Sequence, residues 1–290
     1  MGRIVGPRRD TLPPVQTLSE IRSLLDSYAL RPRHALGQNF LIDHNLIRKL
    51  VDASGVASGE LVVEIGPGTG TLTDELLDRG CTVIACELDP ALAELNRVRL
   101  GPRPGFSLIE GDCLHSKTEI NRDLAAAIAG RPFALVANLP YGAASGLMAT
   151  LAIDHPNCRG QFITIQREVG ERLRAKPGTK DYGELGVVVQ ALCEVSRVAA
   201  LPPECFWPRP DVTSEMCAIR RLPRGSARTS DPRRLSEMCR TLFTQRRKQI
   251  GTTLGRAFPF PPGIDPAARP ESLSIEQIEV LATARASTGG

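Results

Sequence analysis

The tetrapeptide Asn138-Leu139-Pro140-Tyr141 follows an apolar run at 133–137 and combines residue types that can hold a flat base carrying an amine. Asn138 offers a side-chain oxygen and Leu139 a backbone carbonyl, and both can accept a hydrogen bond from that amine. Pro140 has a fixed φ and no N–H, so it can stiffen the direction of the carbonyl, while the ring of Tyr141 can stack on a base. The same residues are also typical of a strand that simply ends in a loop.

A glycine-rich loop lies upstream of the tetrapeptide, directly after the apolar run 61–65. Glycine lets the backbone approach a ligand closely, because it has no Cβ that would clash. Glu87 ends the next apolar run, 21 positions after Gly66, and its carboxylate can accept hydrogen bonds from both ribose hydroxyls of a nucleoside cofactor. The candidate cofactor-binding residues of these two segments are Glu64, Gly66, Gly68, Gly70 and Glu87.

Loop and acidic residue together fit either S-adenosylmethionine or a nicotinamide dinucleotide. The dinucleotide fingerprint has a glycine where this chain has Thr71, so the sequence favours S-adenosylmethionine. Asp112 follows a third apolar run and can bind the adenine amine of the cofactor. Ligands of open α/β sheets bind where parallel strands end, so Glu87, Asp112 and Asn138 are expected to meet there. This arrangement predicts methyl transfer to a nucleobase amine.

Strand and helix patterns alternate from residue 44 to about 174, which predicts an α/β fold with a mainly parallel, Rossmann-like sheet covered by helices. The pattern then changes: 185–192 is typical of a buried helix or strand, and 195–201 and 215–222 of further strands. Only helical patterns remain beyond Pro223, the longest at 231–249. We therefore predict an N-terminal extension with a short helix (1–30), a methyltransferase domain (31–222) and a small all-helical domain (223–290).

The overall charge of +4 indicates little, but its distribution is uneven. Residues 197–256 contain 13 basic and 5 acidic side chains, whereas residues 60–119 contain 5 basic and 11 acidic ones. A basic patch in the C-terminal part can neutralise phosphates and release counterions, which gives salt-dependent binding to RNA. A solvated helix face is the alternative for Arg246-Arg247-Lys248 taken alone. Arg33, in a basic loop after the first helix, is a further candidate RNA contact.

Other ligand classes find little support in the sequence. The eight cysteines include no Cys-x-x-Cys pair and only four histidines accompany them, so neither a metal site nor a disulfide framework is expected. Cys86 and Cys113 flank Glu87 and Asp112, where small apolar packing is the expected role. No signal-type or membrane-length apolar run is present, so a cytoplasmic protein is expected, and nothing in the sequence demands more than a monomer.

From about residue 33 onward the chain resembles the small-subunit rRNA adenine dimethyltransferases, relatives of the macrolide-resistance rRNA methyltransferases. Besides the residues above, the resemblance rests on five segments in family order: 36–41, 169–173, 176–183, 206–214 and 245–248. It implies N6,N6-dimethylation, with S-adenosylmethionine, of adenines in a hairpin near the 3′ end of small-subunit rRNA within a pre-30S particle.

The resemblance also implies roles for individual residues. Asn39 and Leu41 would close over the cofactor, and Gly66 would line its methionine part. Asn138 would contact both the cofactor and the target amine, while Tyr141 and Phe206 would sandwich the target base. The proposed RNA contacts are Arg33, Arg246, Arg247 and Lys248.

Two departures from the family pattern bear on RNA binding. Gly142-Ala143-Ala144 replaces a more polar segment beside the target pocket, and Asp211 stands where a lysine is common. Three other functions remain open from the sequence: methylation of large-subunit rRNA, a ribosome-assembly checkpoint with secondary methylation, and a dehydrogenase. The Thr71 mismatch disfavours the last, and Leu139 together with the full C-terminal domain disfavours the first.

Overall fold

The computed structural model describes residues 16–33, 36–140, 142 and 144–286. A seven-stranded sheet forms its centre. Its strands are β2 (Leu61–Ile65), β3 (Thr82–Glu87), β4 (Phe106–Glu110), β7 (Phe133–Asn138), β8 (Cys158–Gln166), β9 (Cys193–Leu201) and β11 (Ser214–Arg221). They lie in the order β4-β3-β2-β7-β8-β11-β9; the first five are parallel, and β11 is antiparallel to β8 and β9. The predicted α/β sheet is therefore confirmed.

Helices and two short strand pairs complete the described chain. The helices are α1 (Leu18–Ser27), α2 (His44–Ser54), α3 (Thr71–Asp78), α4 (Pro90–Leu100), α5 (Arg122–Ile128), α6 (Ala144–Asp154), α7 (Arg167–Arg174), α8 (Glu184–Leu192), α9 (Pro232–Thr244), α10 (Ile250–Leu254) and α11 (Ile275–Ala286). The short pairs join β1 (Phe40–Leu41) to β10 (Phe206–Trp207), and β5 (Leu114–Ser116) to β6 (Glu119–Ile120).

The central strands are apolar on both faces because helices cover both. Alternate residues point to opposite sides of a strand. Val62 accordingly packs with α2 and α3, whereas Val63 packs with α5 and α6 on the other side. Every residue of β2 is buried, which is typical of a parallel strand between two helical layers.

Helix α1 begins with the capping box predicted from Thr17 and Glu20: the threonine side chain accepts from the Glu20 N–H, and the Glu20 carboxylate accepts from the Thr17 N–H. Its buried residues Ile21 and Leu25 pack with Phe40 and with α4. The N-terminal helix therefore lies against the helical layer of the central sheet.

Beyond residue 222 the described secondary structure is helical, as predicted. The longest helix, α9, ends at Thr244, five residues before the predicted end, and the chain then turns at 245–248. The predicted capping box of α11 is present, since Ser274 and Gln277 exchange both hydrogen bonds. Apolar residues of α9 and α11 share one cluster with the sheet and α8, so the two predicted domains pack against each other directly.

A buried ion pair joins α7 to β11. Glu215 is 1% exposed, and its two carboxylate oxygens accept hydrogen bonds from Arg174 at 2.5 and 3.1 Å. Glycine at position 170 of α7 makes room for this carboxylate, since a Cβ there would come within 1.6 Å of Glu215 Oε1. Any side chain larger than that of glycine at position 170 would therefore clash with the Glu215 carboxylate.

We expect Gly170→Ala to lower the free energy of unfolding by about 1–3 kcal/mol, because the added methyl overlaps the Glu215 carboxylate. In a Glu215→Ala background the same change should instead stabilise α7 by up to about 1 kcal/mol, since alanine favours helix over glycine. Denaturant unfolding of the four proteins in this cycle measures the coupling. An equal cost of Gly170→Ala in both backgrounds would refute the steric explanation.

Candidate active site

A cleft opens at the edge where the parallel strands end, the position predicted from the sequence. Its empty volume is about 950 Å³, part of it open solvent. Its walls are mostly apolar, with a few polar groups, which is typical of a small-molecule site. The predicted site residues that line it are Asn39, Leu41, Glu64, Gly66, Gly68, Glu87, Asp112, Asn138 and Pro140.

Gly68 lets the segment before α2 close over the glycine loop. Its φ is +60°, and a Cβ at this position would lie 2.9 Å from two ring atoms of Phe40. The ring of Phe40 therefore lies directly on the backbone of the loop, and β1 forms one wall of the cleft.

Gly70, predicted to bind the cofactor, does not line the cleft. It precedes α3 with a φ of +82°, and a Cβ there would lie 2.2 Å from Arg99 Nη2 and 2.8 Å from Asn96 Oδ1. Asn96 and Arg99 belong to α4 and donate hydrogen bonds to the carbonyls of Gly68 and Thr69, respectively. The structure therefore gives Gly70 a packing role that fixes the loop against α4.

Glu64 is a buried carboxyl group at the floor of the cleft. Burial raises its pKa to about 8, and the nearby Asp74 and Glu87 charges act in the same direction. The Thr73 hydroxyl donates to Glu64 Oε2 at 2.7 Å, which partly opposes the shift. At neutral pH this carboxyl group is mainly protonated in the free protein.

Glu87 ends β3 and is 5% exposed. One of its oxygens accepts from the Gly68 N–H at 3.2 Å and the other from the Asp89 N–H at 3.0 Å. Burial raises its pKa, although these hydrogen bonds oppose the rise. Since a carboxylate oxygen has two lone pairs, each oxygen can accept a further bond from a ligand hydroxyl.

Asp112 lies in the loop after β4 and is exposed at the mouth of the cleft. Its Oδ1 caps the following turn by accepting from the Leu114 N–H at 2.9 Å. The flanking thiols of Cys86 and Cys113 line the cleft and are buried. Burial raises the pKa of both thiols to about 12, so both stay protonated at neutral pH.

Asn138, at the end of β7, is held by its own amide group. Its Nδ2 donates to the carbonyl oxygen of Asn39 at 2.9 Å, so Oδ1 is the atom left to accept from a ligand. The side chain of Leu139 is buried in the core and its N–H donates to Thr164 O at 3.2 Å. Leu139 can therefore contribute to the site only through its backbone carbonyl. Pro140 packs over Gly66.

The structure places Phe206 in the core. Its side chain is 3% exposed and packs with Leu41, Ile47 and Leu201. The backbone of β10 pairs with β1, with Leu41 opposite Phe206. Neither face of the Phe206 ring is open in this conformation, because apolar side chains pack around it. The ring is therefore not available here for the predicted stacking on a target base. Tyr141, the other half of the predicted sandwich, lies outside the described residues.

The predicted RNA contacts differ in how free their side chains are. Arg33 is exposed and lies 3.6 Å from the buried carboxylate of Asp89. Arg246 forms an ion pair with Glu271, whereas Arg247 and Lys248 are exposed, and their side chains form no hydrogen bond or ion pair within the described ranges. The three adjacent basic residues are therefore not equivalent.

Three residues of the site carried no assigned role in the sequence. Phe40 covers Gly68, and Gln38 bridges the Arg33 N–H and Asp89 through its side-chain amide. Gln16 donates to Thr69 O and accepts from Thr71, which connects the segment before α1 to the glycine loop. Gln38 and Phe40 lie in the 36–41 motif, which could have indicated them. No sequence pattern indicates Gln16, because its contacts with the glycine loop form only when α1 packs against α4 and Phe40.

The parallel sheet, the glycine loop and the carboxylates at successive strand ends define a Rossmann-like methyltransferase. A family model described as ribosomal RNA adenine dimethylase matches residues 29–277. The chain therefore belongs to the ribosomal RNA adenine dimethylase family.

Curated relatives and solved structures agree with this assignment. The chain is 37% identical over 273 residues to the ribosomal RNA small subunit methyltransferase A of Clostridium perfringens, covering 91% of this chain and 94% of the relative. It is 39% identical over 277 residues to the protein of the same name from Mycobacterium tuberculosis, covering 89% and 84%.

Among solved structures, a dimethyladenosine transferase from Plasmodium falciparum has a TM-score of 0.66 at 20% identity, covering 86% of this chain and 97% of that one. The 23S rRNA methyltransferase ErmE has a TM-score of 0.61 at 27% identity, covering 85% and 99%. At 20% identity, the similarity to the Plasmodium falciparum structure supports the assignment of the fold alone.

Neither a metal-ligand cluster nor a membrane-crossing helix is present among the described residues. No group of three or more His, Cys, Asp or Glu side chains is placed to hold a metal ion in that part of the chain. Within the same residues, no helix combines the length and apolar character needed to cross a bilayer.

We expect Glu64→Gln to stabilise the free protein increasingly as the pH rises from about 4.5 to about 8. In wild type the unfolded chain ionises Glu64 near 4.5, whereas the native state keeps the proton up to about 8. The native state then binds more protons in this window, so its free energy of unfolding falls as pH rises. A glutamine side chain does not ionise, so the variant avoids this loss of stability as the pH rises. Its amide oxygen can still accept a hydrogen bond from the Thr73 hydroxyl.

Denaturant unfolding of both proteins across that pH range measures the effect, with Glu119→Gln, an exposed carboxyl group of β6, as the matched control. A stability difference between Glu64→Gln and wild type that does not change with pH would show that Glu64 is already ionised in the native state.

Proposed function

We propose that this protein uses S-adenosylmethionine to dimethylate the N6 amines of adenines in a hairpin near the 3′ end of small-subunit rRNA, as part of small-subunit maturation. The observation that carries the proposal is the position of Asn138 at a cleft lined by two buried carboxyl groups, where its side-chain oxygen has no partner among the described residues. Relatives named small subunit methyltransferase A, at 37–39% identity, support the choice of RNA.

The cleft fits the cofactor at its amino acid, ribose and adenine parts. Glu64 is a buried acceptor suited to the α-ammonium group, and ionisation of its carboxyl would accompany binding. Glu87 has acceptor capacity left for two ribose hydroxyls, and Asp112 Oδ2 for the adenine amine. Asn39, Leu41, Gly66 and Gly68 would enclose the rest. The cofactor supplies an electrophilic methyl group on a sulfonium; the protein needs no metal for this chemistry.

The target amine would be held by two acceptors on adjacent residues, Asn138 Oδ1 and the carbonyl of Leu139. An exocyclic amine of adenine is a weak nucleophile because its lone pair is delocalised into the ring. Two acceptors that bind its hydrogens favour a pyramidal nitrogen and aim the lone pair at the methyl group. Positioning of this kind supplies most of the acceleration when the leaving group is already good.

We propose that Tyr141 stacks on the adenine after it leaves its RNA stack. For Phe206, the buried ring supports a different role from direct stacking: it anchors β10 to β1 and so holds the wall that carries Asn39 and Leu41. Arg33, Arg247 and Lys248 would contact RNA phosphates, in a monomeric cytoplasmic enzyme acting on a pre-30S particle.

The direct test is incubation of the purified protein with a labelled methyl donor and small subunits that lack the modification, followed by nucleoside analysis. Dimethyladenosine confined to small-subunit rRNA is expected. Methylation of large-subunit rRNA instead would favour the activity named for ErmE, the structural neighbour at 27% identity. Small-subunit maturation supported by a catalytically dead variant would favour the checkpoint function.

We expect Asn138→Ala to lower kcat by about 10²–10³-fold, because it removes one of two acceptors that act on the reacting amine. Affinity for the cofactor should change little, since the other cofactor ligands remain. Asn157, at the opposite edge of the sheet, provides the matched control Asn157→Ala. Methylation near the wild-type rate by Asn138→Ala would remove this residue from the mechanism.

Tyr141→Ala is expected to raise KM for the RNA substrate by about 5- to 150-fold, which corresponds to the loss of about 1–3 kcal/mol of stacking on one base. Tyr141→Phe retains a ring and should behave like wild type. Steady-state kinetics with small subunits separate KM from kcat. A KM that Tyr141→Ala leaves unchanged would argue against base stacking by this residue.

A further inference from the structure

The short strands β1 and β10 form a ribbon of two residue pairs beside the cofactor cleft. Phe40 lies opposite Trp207, and Leu41 lies opposite Phe206. Neighbouring residues of a strand point to opposite faces. Leu41 and Phe206 accordingly pack in the core, whereas Phe40 and Trp207 share the outer face of the ribbon. Because so short a pair of strands is marginally stable by itself, side-chain packing must fix its position.

An arginine and two aromatic rings pack together on the outer face of this ribbon. The rings of Phe40 and Trp207 are stacked, with centroids 6.3 Å apart and planes inclined by 26°. Arg22 of α1 lies over the Trp207 ring with its Cζ 5.1 Å from the centroid, close enough for a cation–π attraction. The side chain of Arg22 is exposed and has no hydrogen bond or ion pair in the part of the chain that the structure describes. Trp207 thus connects α1 to β1.

The position of Phe40 and its neighbour fixes two parts of the active site. The Phe40 ring lies on the backbone of Gly68, where a Cβ would come within 2.9 Å of it. One residue earlier, the carbonyl oxygen of Asn39 accepts from Asn138 Nδ2 at 2.9 Å, which fixes the direction of the Asn138 carboxamide. A shift of this segment would therefore disturb the glycine loop and the carboxamide together.

We propose that Trp207 and Arg22 are positioning residues for methyl transfer. By holding Phe40 against the glycine loop, they keep the cofactor-binding backbone and the Asn138 carboxamide in their working geometry. Neither Trp207 nor Arg22 lines the cleft, so each acts through Phe40 rather than on the cofactor itself. This role rests on the proposed function and adds to it two residues outside the cleft.

Two other roles for these residues predict different results. If Trp207 stabilised only the fold, its loss would lower the melting temperature and leave the cofactor affinity of the folded protein unchanged. If Arg22 contacted an RNA phosphate, its loss would reduce the salt dependence of RNA binding and leave cofactor affinity unchanged. Positioning predicts weaker cofactor binding in both variants, with an unchanged salt dependence of RNA binding.

Trp207 is the single tryptophan of the chain, so tryptophan fluorescence reports on this contact alone. In the cofactor-free protein, Arg22→Ala should increase quenching of that fluorescence by acrylamide, because it uncovers the ring. Calorimetric titration with S-adenosylhomocysteine, the demethylated cofactor, should give Arg22→Ala a Kd about two- to fivefold above wild type, as expected for an exposed cation–π contact. Arg122→Ala, which removes an exposed arginine at the start of α5, is the matched control and should bind like wild type.

Trp207→Ala should raise the same Kd by about five- to tenfold, within the range for loss of an aromatic pair. It should also lower kcat at saturating cofactor by about tenfold, because the Asn138 carboxamide is displaced. Trp207→Phe keeps a flat ring opposite Phe40 and should restore most of both values. In the Trp207→Ala background, Arg22→Ala should have no further effect, since its ring partner is absent. Melting temperatures and circular dichroism of the variants report on folding.

The inference is overturned if folded Trp207→Ala matches wild type in both Kd and kcat, or if Arg22→Ala lowers cofactor affinity equally in the presence and absence of the Trp207 ring. Arg22→Ala changes an exposed side chain, so it tests the inference even if Trp207→Ala does not fold. A reduced salt dependence of RNA binding with unchanged cofactor affinity in Arg22→Ala would make this arginine an RNA contact and also overturn it. A wild-type protein that binds no S-adenosylhomocysteine, or binds it without methylating small subunits, would instead contradict the proposed function itself.

Discussion

Parallel pairing of five strands is the constraint on which the rest of this structure depends. It aligns the carboxyl ends of β2, β3, β4, β7 and β8 at one edge, so that residues far apart in sequence share one cleft. Glu64, Glu87, Asp112 and Asn138 are each delivered by a separate strand or the loop after it. Their relative positions are therefore set by backbone hydrogen bonds of the sheet, which side-chain substitutions in the cleft do not disturb.

The electrostatics of the cleft follow from burial. Two carboxyl groups lie in a largely apolar cleft, where desolvation raises the pKa of both. A phosphate group would bind poorly in a site of this kind, because it would add negative charge. A ligand with an ammonium group and hydroxyls fits the site better. The same burial that raises these pKa values favours a ligand with a positive charge over one with a negative charge.

Ion pairing, rather than burial, determines which basic side chains remain available on the surface. Many arginines of the described chain are paired with carboxylates and hold elements together, as Arg174 holds β11 and Arg246 holds the loop at 175–182 that follows α7. Charge counted along the sequence therefore overstates the surface that remains for RNA. Side chains such as those of Arg247 and Lys248, which have no partner in the part of the chain that the structure describes, retain their full capacity to replace counterions.

The sequence by itself determined the sheet, the glycine loop and the strand-end residues Glu87 and Asn138, because apolar periodicity and local turn chemistry are encoded within short segments. It also indicated both capping boxes. Tertiary structure alone decided that Gly70 packs on α4, that Phe206 is a core ring, and that Arg246 is an ion-pair partner. Each of these outcomes depends on a neighbour between 25 and 165 positions away, namely Asn96 for Gly70, Glu271 for Arg246 and Leu41 for Phe206. The spacing of residue types in one segment contains no information about contacts of that range.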